Sequence, residues 1–187
     1  MELWQVKHRL RIDTIDGPRA IEMLEDGDMI ETRDGGLQPL RWSGCTTVVT
    51  AGDLAPIVIT AGTFGNTADL VVSPQHAVLI QVGLLNCFMV KMRFCCARLT
   101  CLVTTAFIVA PGGVVNYWHI LFDANQVVHA SGIWSESLYP GETTMDAISP
   151  KAQNEIRGLL DDITTYRQKA APCICKFEAT VMSAAYA

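Results

Sequence analysis

Short runs of β-branched and apolar residues, separated by turn residues, dominate the first two thirds of the chain. The runs occupy residues 56–60, 70–72, 77–82, 114–121 and 126–128. Gly, Pro, Asn or Asp lies between them, and such residues end strands, whereas β-branched residues favour extended backbone. The pattern therefore predicts an all-β domain built from many short strands.

Three Asp-Gly steps mark turns near the start of the chain. They are Asp16-Gly17, Asp26-Gly27 and Asp34-Gly35. In each step the glycine permits a positive φ without steric cost. Residues 29–32 and 37–42, which flank the third step, alternate imperfectly between apolar and polar side chains. We therefore predict a half-buried hairpin there, with Pro39 on its edge because proline cannot donate to a strand ladder.

A single helix is predicted near the C-terminal end, over residues 150–164. Ser149 is a typical N-cap residue, and Pro150 suits the first turn of a helix. The apolar residues that fall on one face at helical spacing are Ala152, Ile156, Leu159, Leu160 and Ile163. We expect this face to pack against the sheet. Residues 166–173 are then predicted to be a connector, and residues 174–182 a last strand or a frayed tail.

The size and composition of the chain exclude several classes of protein. Its 187 residues are enough for one compact domain, and a hydrophobic content of 50% with 18% charged residues excludes disorder as the dominant state. The formal net charge of -5 has the wrong sign for tracking phosphates, so we expect no nucleic-acid partner. Charged side chains interrupt the most apolar stretch, residues 84–110, so we expect no transmembrane segment.

Seven cysteines are an odd number, which excludes a fully paired disulfide framework. They lie at positions 45, 87, 95, 96, 101, 173 and 175. They lack the paired Cys-x-x-Cys spacing of closed zinc sites, so we expect no metal and no other cofactor. Residues 1–10 include several charged side chains, and we see no secretory signal there. Reduced thiols and a cytoplasmic location are therefore the default expectations, although the location stays open.

Ser73 and His76 form the first candidate for chemistry. They lie three positions apart in a turn between two predicted strands, and such a turn can aim both side chains at one point. An imidazole can donate a proton to a leaving amide nitrogen, while a serine hydroxyl can bond the neighbouring backbone. The alternative interpretation is a turn histidine with no catalytic role.

His119 and Asp123 form the second candidate. They suit an acid/base pair if the fold brings them against His76, because a carboxylate fixes the tautomer of a partner imidazole. In the alternative interpretation, His119 is exposed beside core aromatic residues and residues 123–126 form a simple hairpin turn.

Four segments, taken in order, resemble a known family. They read IDTIDGPRAIEMLEDGDMIETRDGGLQPLRWSG, LVVSPQHAVLI, APGGVVNYWHILFDANQVVHASGIWSESLYPG and ISPKAQNEIRGLLDD with CKFEATVM. Their order, spacing and turn residues are similar to those of the Hint domain of bacterial Hedgehog/intein-type proteins. The resemblance spans nearly the whole chain apart from residues 83–109. It implies an all-β horseshoe of short intertwined strands with a pseudo-twofold axis.

The resemblance also implies chemistry on the chain's own backbone, with that polypeptide as the substrate. In the family, a Cys or Ser at the first position of the domain attacks the preceding carbonyl in an N-to-S or N-to-O acyl shift, and the ester is then cleaved or transferred. A Thr/Ser-x-x-His turn assists this step, and the matching residues here are Ser73 and His76. His119 and Asp123 also match the family pattern.

The chain departs from the family pattern at its start. Family members typically open Cys-Phe-x-x-Gly-Thr, and Gln5 stands where the Cys is expected. No Cys, Ser or Thr precedes Thr14, so no side chain there can form the required ester, and we expect little upstream polypeptide to cut. Asn125-Gln126 replaces a frequent His-Glu, and residues 133–137 lack an intein-type His-Asn ending.

We therefore predict an unmatched segment over residues 1–11, a Hint domain over 12–140 and a C-terminal extension over 141–187. The leading hypothesis is a degenerate processing domain that keeps its cleft residues but has lost self-cleavage. One alternative is an active autoprocessing domain whose nucleophile comes from a longer native start or from one of the cysteines. The other is a non-catalytic interaction module with an apolar patch at residues 87–96. The oligomeric state stays open.

Overall fold

Thirteen short strands make up about half of the part of the chain that the structure, a computed structural model, describes. That part comprises residues 10–50, 55–74, 76–82, 86–91, 107–109, 113–146, 148–160 and 166, with the backbone alone described at 80–82, 86–91, 107–109, 142 and 143. The strands are β1 Arg11–Thr14, β2 Gly17–Ala20, β3 Met29–Thr32, β4 Gly36–Pro39, β5 Trp42–Val49, β6 Ile57–Ile59, β7 Leu70–Val72, β8 Ala77–Val82, β9 Asn86–Lys91, β10 Phe107–Val109, β11 Val114–Leu121, β12 Val127–Ala130 and β13 Ile133–Glu136. The predicted all-β class is confirmed.

The strands form three antiparallel sheets. The largest has the order β2-β1-β3-β12-β13-β8-β9, with β4 paired to β3, and it joins the start of the described chain to its later half through the pair Ile12 and Ala130. A three-stranded sheet has the order β10-β6-β7. The third sheet, which we call the ribbon, is the pair β5 and β11.

The predicted hairpin is present, but it is shorter than expected. Strands β3 and β4 pair from Met29 opposite Pro39, and Pro39 lies on an edge strand as predicted, because β4 pairs with β3 alone among the described strands. The prediction of one strand running on to Trp42 was wrong. The chain leaves the sheet at Leu40, and Trp42 begins β5, which pairs with β11.

The ribbon contributes to two apolar clusters of the core among the described residues. The first cluster contains Ile12, Ile21, Leu24, Ile30, Leu40, Ile120, Phe122, Val128 and Ala130. The second contains Trp42, Leu121, Leu138, Met145, Ile148, Ala152, Ile156 and Tyr166. Ile120 and Leu121 are neighbours on β11 and point to opposite faces, as successive strand residues must. The ribbon is therefore covered by apolar side chains on both faces at this end.

The predicted helix is confirmed at its start and ends early. A short helix α1 covers Glu142–Met145, which the sequence did not predict, and α2 covers Pro150–Leu159. The N-cap is as predicted, because the Ser149 side chain accepts a hydrogen bond from the Ala152 amide at 3.2 Å. Leu159 is 49% exposed, so it does not belong to the packed face.

The structure describes only part of the region after α2 for which predictions were made. Leu160 already has extended backbone, so the helix does not continue without interruption to residue 164. Ile163, the predicted connector beyond Tyr166 and the predicted tail strand lie outside the described residues. Among the described helices, none is long and apolar enough to cross a membrane.

A loop over residues 60–69 packs against the turn that joins β12 to β13. Asn66 organises the loop, since its side-chain amide donates to the carbonyls of Thr60 and Ala68 at 2.9 and 2.8 Å. The Thr67 amide donates to the carbonyl of Ser131 at 2.9 Å. Ser131 and Gly132 both have positive φ, 48° and 94°, as the two central residues of a type I′ turn require.

Candidate functional site

The structure brings His76 and His119 together from separate elements. His76 ends a tight turn in which its amide donates to the carbonyl of Ser73 at 2.9 Å, immediately before β8. His119 lies on β11, opposite Gly44 of β5. The imidazole of His119 acts electrostatically on that of His76, so the two rings lie near each other.

Both imidazoles are held in the neutral state at pH 7. Desolvation, and to a lesser extent the nearby imidazole of His119, lowers the pKa of His76 to about 4. Desolvation also lowers the pKa of His119 to about 4. A neutral imidazole carries one N–H donor and one acceptor nitrogen, so each ring can pass a proton or hold a polar group without bringing charge into the site.

Ser135 completes the contacts of His76, and the sequence analysis did not single it out. Its Oγ lies 2.6 Å from Nε2 of His76. Ser135 is 6% exposed and lies on β13, where Ile133 two residues earlier also points inward. The signal in the sequence was a serine at an inward position of an alternating strand, because such a hydroxyl needs a specific partner.

The ribbon residue opposite His119 has no side chain, and Trp42 fills the space beside it. A Cβ added to Gly44 would lie 2.1 Å from Cζ2 of Trp42, so the indole ring covers this glycine. The indole N–H donates to Oε2 of Glu155 on α2 at 2.8 Å, which holds the ring in place. The face of the ribbon that carries His119 is therefore bounded by a fixed aromatic ring.

Two hydroxyl groups lie farther along the same face of the ribbon. Thr46 and Tyr117 are cross-strand partners, and Tyr117 points to the same side of β11 as His119, two residues away. Both hydroxyl oxygens are buried, and within the described part of the chain neither has a hydrogen-bond partner. Burial raises the pKa of Tyr117 to about 12. This face thus has unused hydrogen-bonding capacity next to the imidazoles.

Asp123 does not join the two histidines. Its carboxylate accepts two hydrogen bonds from Arg41, from Nε and Nη2, each at 2.7 Å, and its side chain is 65% exposed. Its charge is not among the causes that shift the pKa of His119. The suggested acid/base pair of His119 with Asp123 is therefore not formed in the structure.

Residues 123–126 do not form a simple hairpin turn, because β11 pairs with β5 while β12 pairs within the large sheet. The segment crosses between two sheets. Asn125 is buried, and its side-chain amide donates to the carbonyl of Ser137 at 3.3 Å. The Gln126 amide donates to Oγ of Ser137 at 2.9 Å. These two residues therefore fasten the crossing segment to the chain after β13.

Cys45 is the one cysteine whose side chain is described, and it does not face the imidazoles. It follows Gly44 on β5, so it points to the opposite face of the ribbon, where it is exposed. Partial desolvation raises the pKa of its thiol, which disfavours the reactive thiolate. The side chains of the other six cysteines, and those of the proposed apolar patch at residues 87–96, lie outside the described part.

Another imidazole–carboxylate pair lies on the outer side of the large sheet. Nδ1 of His129 is 2.6 Å from Oδ2 of Asp13, and the His129 ring packs on Trp134 with centroids 4.9 Å apart. Asp13 alternates with the buried residues Ile12 and Thr14, so it faces away from the core that contains Ile12.

Comparisons with known proteins give one family match and a structural match. A family model described as Hint domain matches residues 8–142. Among solved structures, a crystal structure of the MchDnaB-1 intein matches with 9% identity and a TM-score of 0.41, over 70% of this chain and 97% of the intein chain. None of the curated proteins compared with the chain matches it.

Proposed function

The chain belongs to the Hint domain family, and from this premise we propose that it is a self-processing type of domain that keeps its proton-handling imidazoles but does not cleave its own backbone. The observation that carries the proposal is the pair of desolvated, neutral imidazoles of His76 and His119. The family resemblance assigns to His76 the assistance of an acyl shift, and Gln5 occupies the position of the attacking residue.

The environment of His76 suits the breaking of an amide bond. An amide nitrogen leaves poorly unless it is protonated or its bond is twisted, so the step is helped by a group positioned to donate a hydrogen bond to that amide and hold it strained. The neutral ring of His76 offers one N–H group, and its backbone is fixed by the turn that begins at Ser73. The buried surroundings strengthen any hydrogen bond that this group makes to a reacting amide.

The described residues near the start of the chain supply no replacement nucleophile. Gln5 carries a carboxamide, which is not a nucleophile for acyl transfer. Thr14, the first hydroxyl-bearing residue, is buried, and its Oγ1 donates to the carbonyl of Gly17 at 2.7 Å and accepts from the Asp16 amide at 3.2 Å. Cys45 points away from His76 on the other face of the ribbon.

The proposal predicts that a nucleophile at position 5 restores the first step of the chemistry. A folded tag is fused ahead of Met1, and release of the tag is followed by mass spectrometry with and without added thiol. We expect the natural chain to keep its tag in both conditions. We expect the Gln5→Cys variant to release the tag when thiol is added, because a cysteine there can form the thioester that the thiol intercepts.

Two variants serve as controls in the same fusion. Gln5→Ala should stay intact, which excludes release through mere loss of the glutamine. Adding His76→Gln to Gln5→Cys should lower the release rate by about a hundredfold, the usual cost of removing one positioned hydrogen-bond donor from an acyl-transfer site. Release from the natural fusion at a defined bond would show that the chain is an active autoprocessing domain. If the Gln5→Cys variant releases no tag, the claim that the chain is inactive because it lacks a nucleophile at position 5 is refuted.

A further inference from the structure

We propose that Ser135 is a positioning residue for His76, because its hydroxyl donates a hydrogen bond to Nε2 and so fixes the ring proton on Nδ1. The inference rests on the proposed function in one respect, namely that His76 is the imidazole that donates a hydrogen bond to the reacting amide. The tautomer itself is a property of the folded chain and can be measured whether or not any backbone is cleaved.

The direction of the hydrogen bond follows from what each group needs. Oγ of Ser135 and Nε2 of His76 are 2.6 Å apart, and Ser135 is almost completely buried. Within the described part of the chain, Nε2 is the one acceptor that the Ser135 hydroxyl reaches. If Nε2 carried the proton and donated instead, the hydroxyl proton would be left buried without an acceptor, which is the costly arrangement.

The backbone holds both partners at this distance. Ser135 pairs with Val128 of β12 on one side and with Val78 of β8 on the other, so it lies on an interior strand of the large sheet. His76 is fixed by its hydrogen bond to Ser73 and is followed by Ala77, the first residue of β8. Neither side chain needs to move for the contact to form, so the ring is oriented in advance.

The consequence for the site is that Nδ1 is the nitrogen that can donate. Nε2 accepts the hydrogen bond from the Ser135 hydroxyl, so the ring proton cannot move from Nδ1 to Nε2 without breaking that bond. A serine bonded to an imidazole is also the arrangement of an activated nucleophile. That role requires the ring to accept a proton and become charged, which desolvation and the neighbouring His119 oppose.

The test is the nitrogen NMR spectrum of the histidine side chains in the full chain at pH 7. We expect His76 of the natural chain to show a pyrrole-type shift at Nδ1 and a pyridine-type shift at Nε2. Ser135→Ala should lose this pattern, and Ser135→Thr should restore it because it keeps the hydroxyl. Ser137→Ala is the matched control, since it removes a buried hydroxyl that bonds Gln126 and leaves the His76 pattern unchanged.

Several outcomes would overturn the inference. One is an Nε2–H or averaged pattern in the natural chain, which is informative even if Ser135→Ala fails to fold. Another is an unchanged pattern in folded Ser135→Ala. Stoichiometric labelling of Ser135 by a fluorophosphonate probe would assign it as a nucleophile instead.

A kinetic measurement separates this inference from the proposed function. In the tagged Gln5→Cys chain, Ser135→Ala should slow thiol-induced release by at least about tenfold, because an imidazole whose proton is on the wrong nitrogen cannot play its part in the reaction. Ser135→Thr should recover most of the rate. If Gln5→Cys releases nothing, the proposed function fails while the tautomer result still decides the role of Ser135. If Gln5→Cys is active and Ser135→Ala is equally fast, only the positioning role fails.

Discussion

Lowering the pH from 7 to 4.5 is expected to destabilise the folded chain by about 5 kcal/mol through His76 and His119 alone. Their pKa values fall from the ordinary 6.5 to about 4 on folding, so the unfolded chain binds protons in this range and the folded chain does not. Stability is therefore unaffected by these groups above pH 6.5 and is lost as the pH falls from 6.5 towards 4. Each imidazole contributes about 2.5 kcal/mol between pH 7 and 4.5.

Urea unfolding at a series of pH values between 7 and 4.5 measures this effect, with His76→Gln, His119→Gln and the double variant as comparisons. We expect each single variant to flatten the pH dependence and the double variant to remove most of it. His129→Gln is the control, because it removes an imidazole from the outer side of the large sheet and leaves the buried pair in place. A natural chain equally stable at pH 7 and 4.5 would contradict the desolvation of these two rings.

Replacing Gly132 by alanine is expected to destabilise the chain by about 3 kcal/mol or more, for two separable reasons. Its φ of +94° disfavours any residue with a side chain, and the new Cβ would lie 2.7 Å from the carbonyl oxygen of Gly65 and 3.1 Å from the Thr67 amide. Both neighbours are backbone atoms of the loop over residues 60–69. Relief of the clash therefore requires that loop to move away from the β12–β13 turn.

Gly27→Ala is a matched control for this change. Gly27 has the same φ of +94°, and a Cβ there would meet nothing within 4 Å. It should cost only the conformational strain, about 1–2 kcal/mol. Denaturant unfolding of the two variants gives the difference, which measures the packing of the loop on the turn. Equal losses would mean that the contact between the loop and Gly132 contributes nothing to stability.

Several strands could be predicted from the sequence because their signal is local. The predicted runs at 70–72, 77–82 and 114–121 coincide with β7, β8 and β11, since β-branched residues bounded by turn residues specify extended backbone. Strand β5 was not predicted, because residues 43–47 are Ser, Gly, Cys and two Thr, which show no alternation of apolar and polar side chains. Its extended form depends on the partner strand β11 and on packing that only the tertiary structure supplies.

The site was predictable in its imidazoles and not in their surroundings. His76 and His119 were candidates from their local sequence, and the family resemblance, which includes information about spatial neighbours that spacing alone lacks, matched both. The pairing of Asp123 with Arg41 joins residues 82 positions apart. It follows from the crossing of residues 123–126 between two sheets, which short-range pattern cannot reveal. The inward position of Ser135 could have been predicted from strand alternation. Its partner could not, because His76 lies 59 positions away.

The pairing of β1 with β12 determines when this protein can acquire its structure during synthesis on the ribosome. Ile12 pairs with Arg19 of β2 on one side and with Ala130 of β12 on the other, so the second side of β1 at Ile12 stays unpaired until most of the polypeptide is translated. The nascent chain must therefore carry its first strands uncompleted through most of elongation, during which chaperones have access to them. The imidazole pair assembles only after that delay.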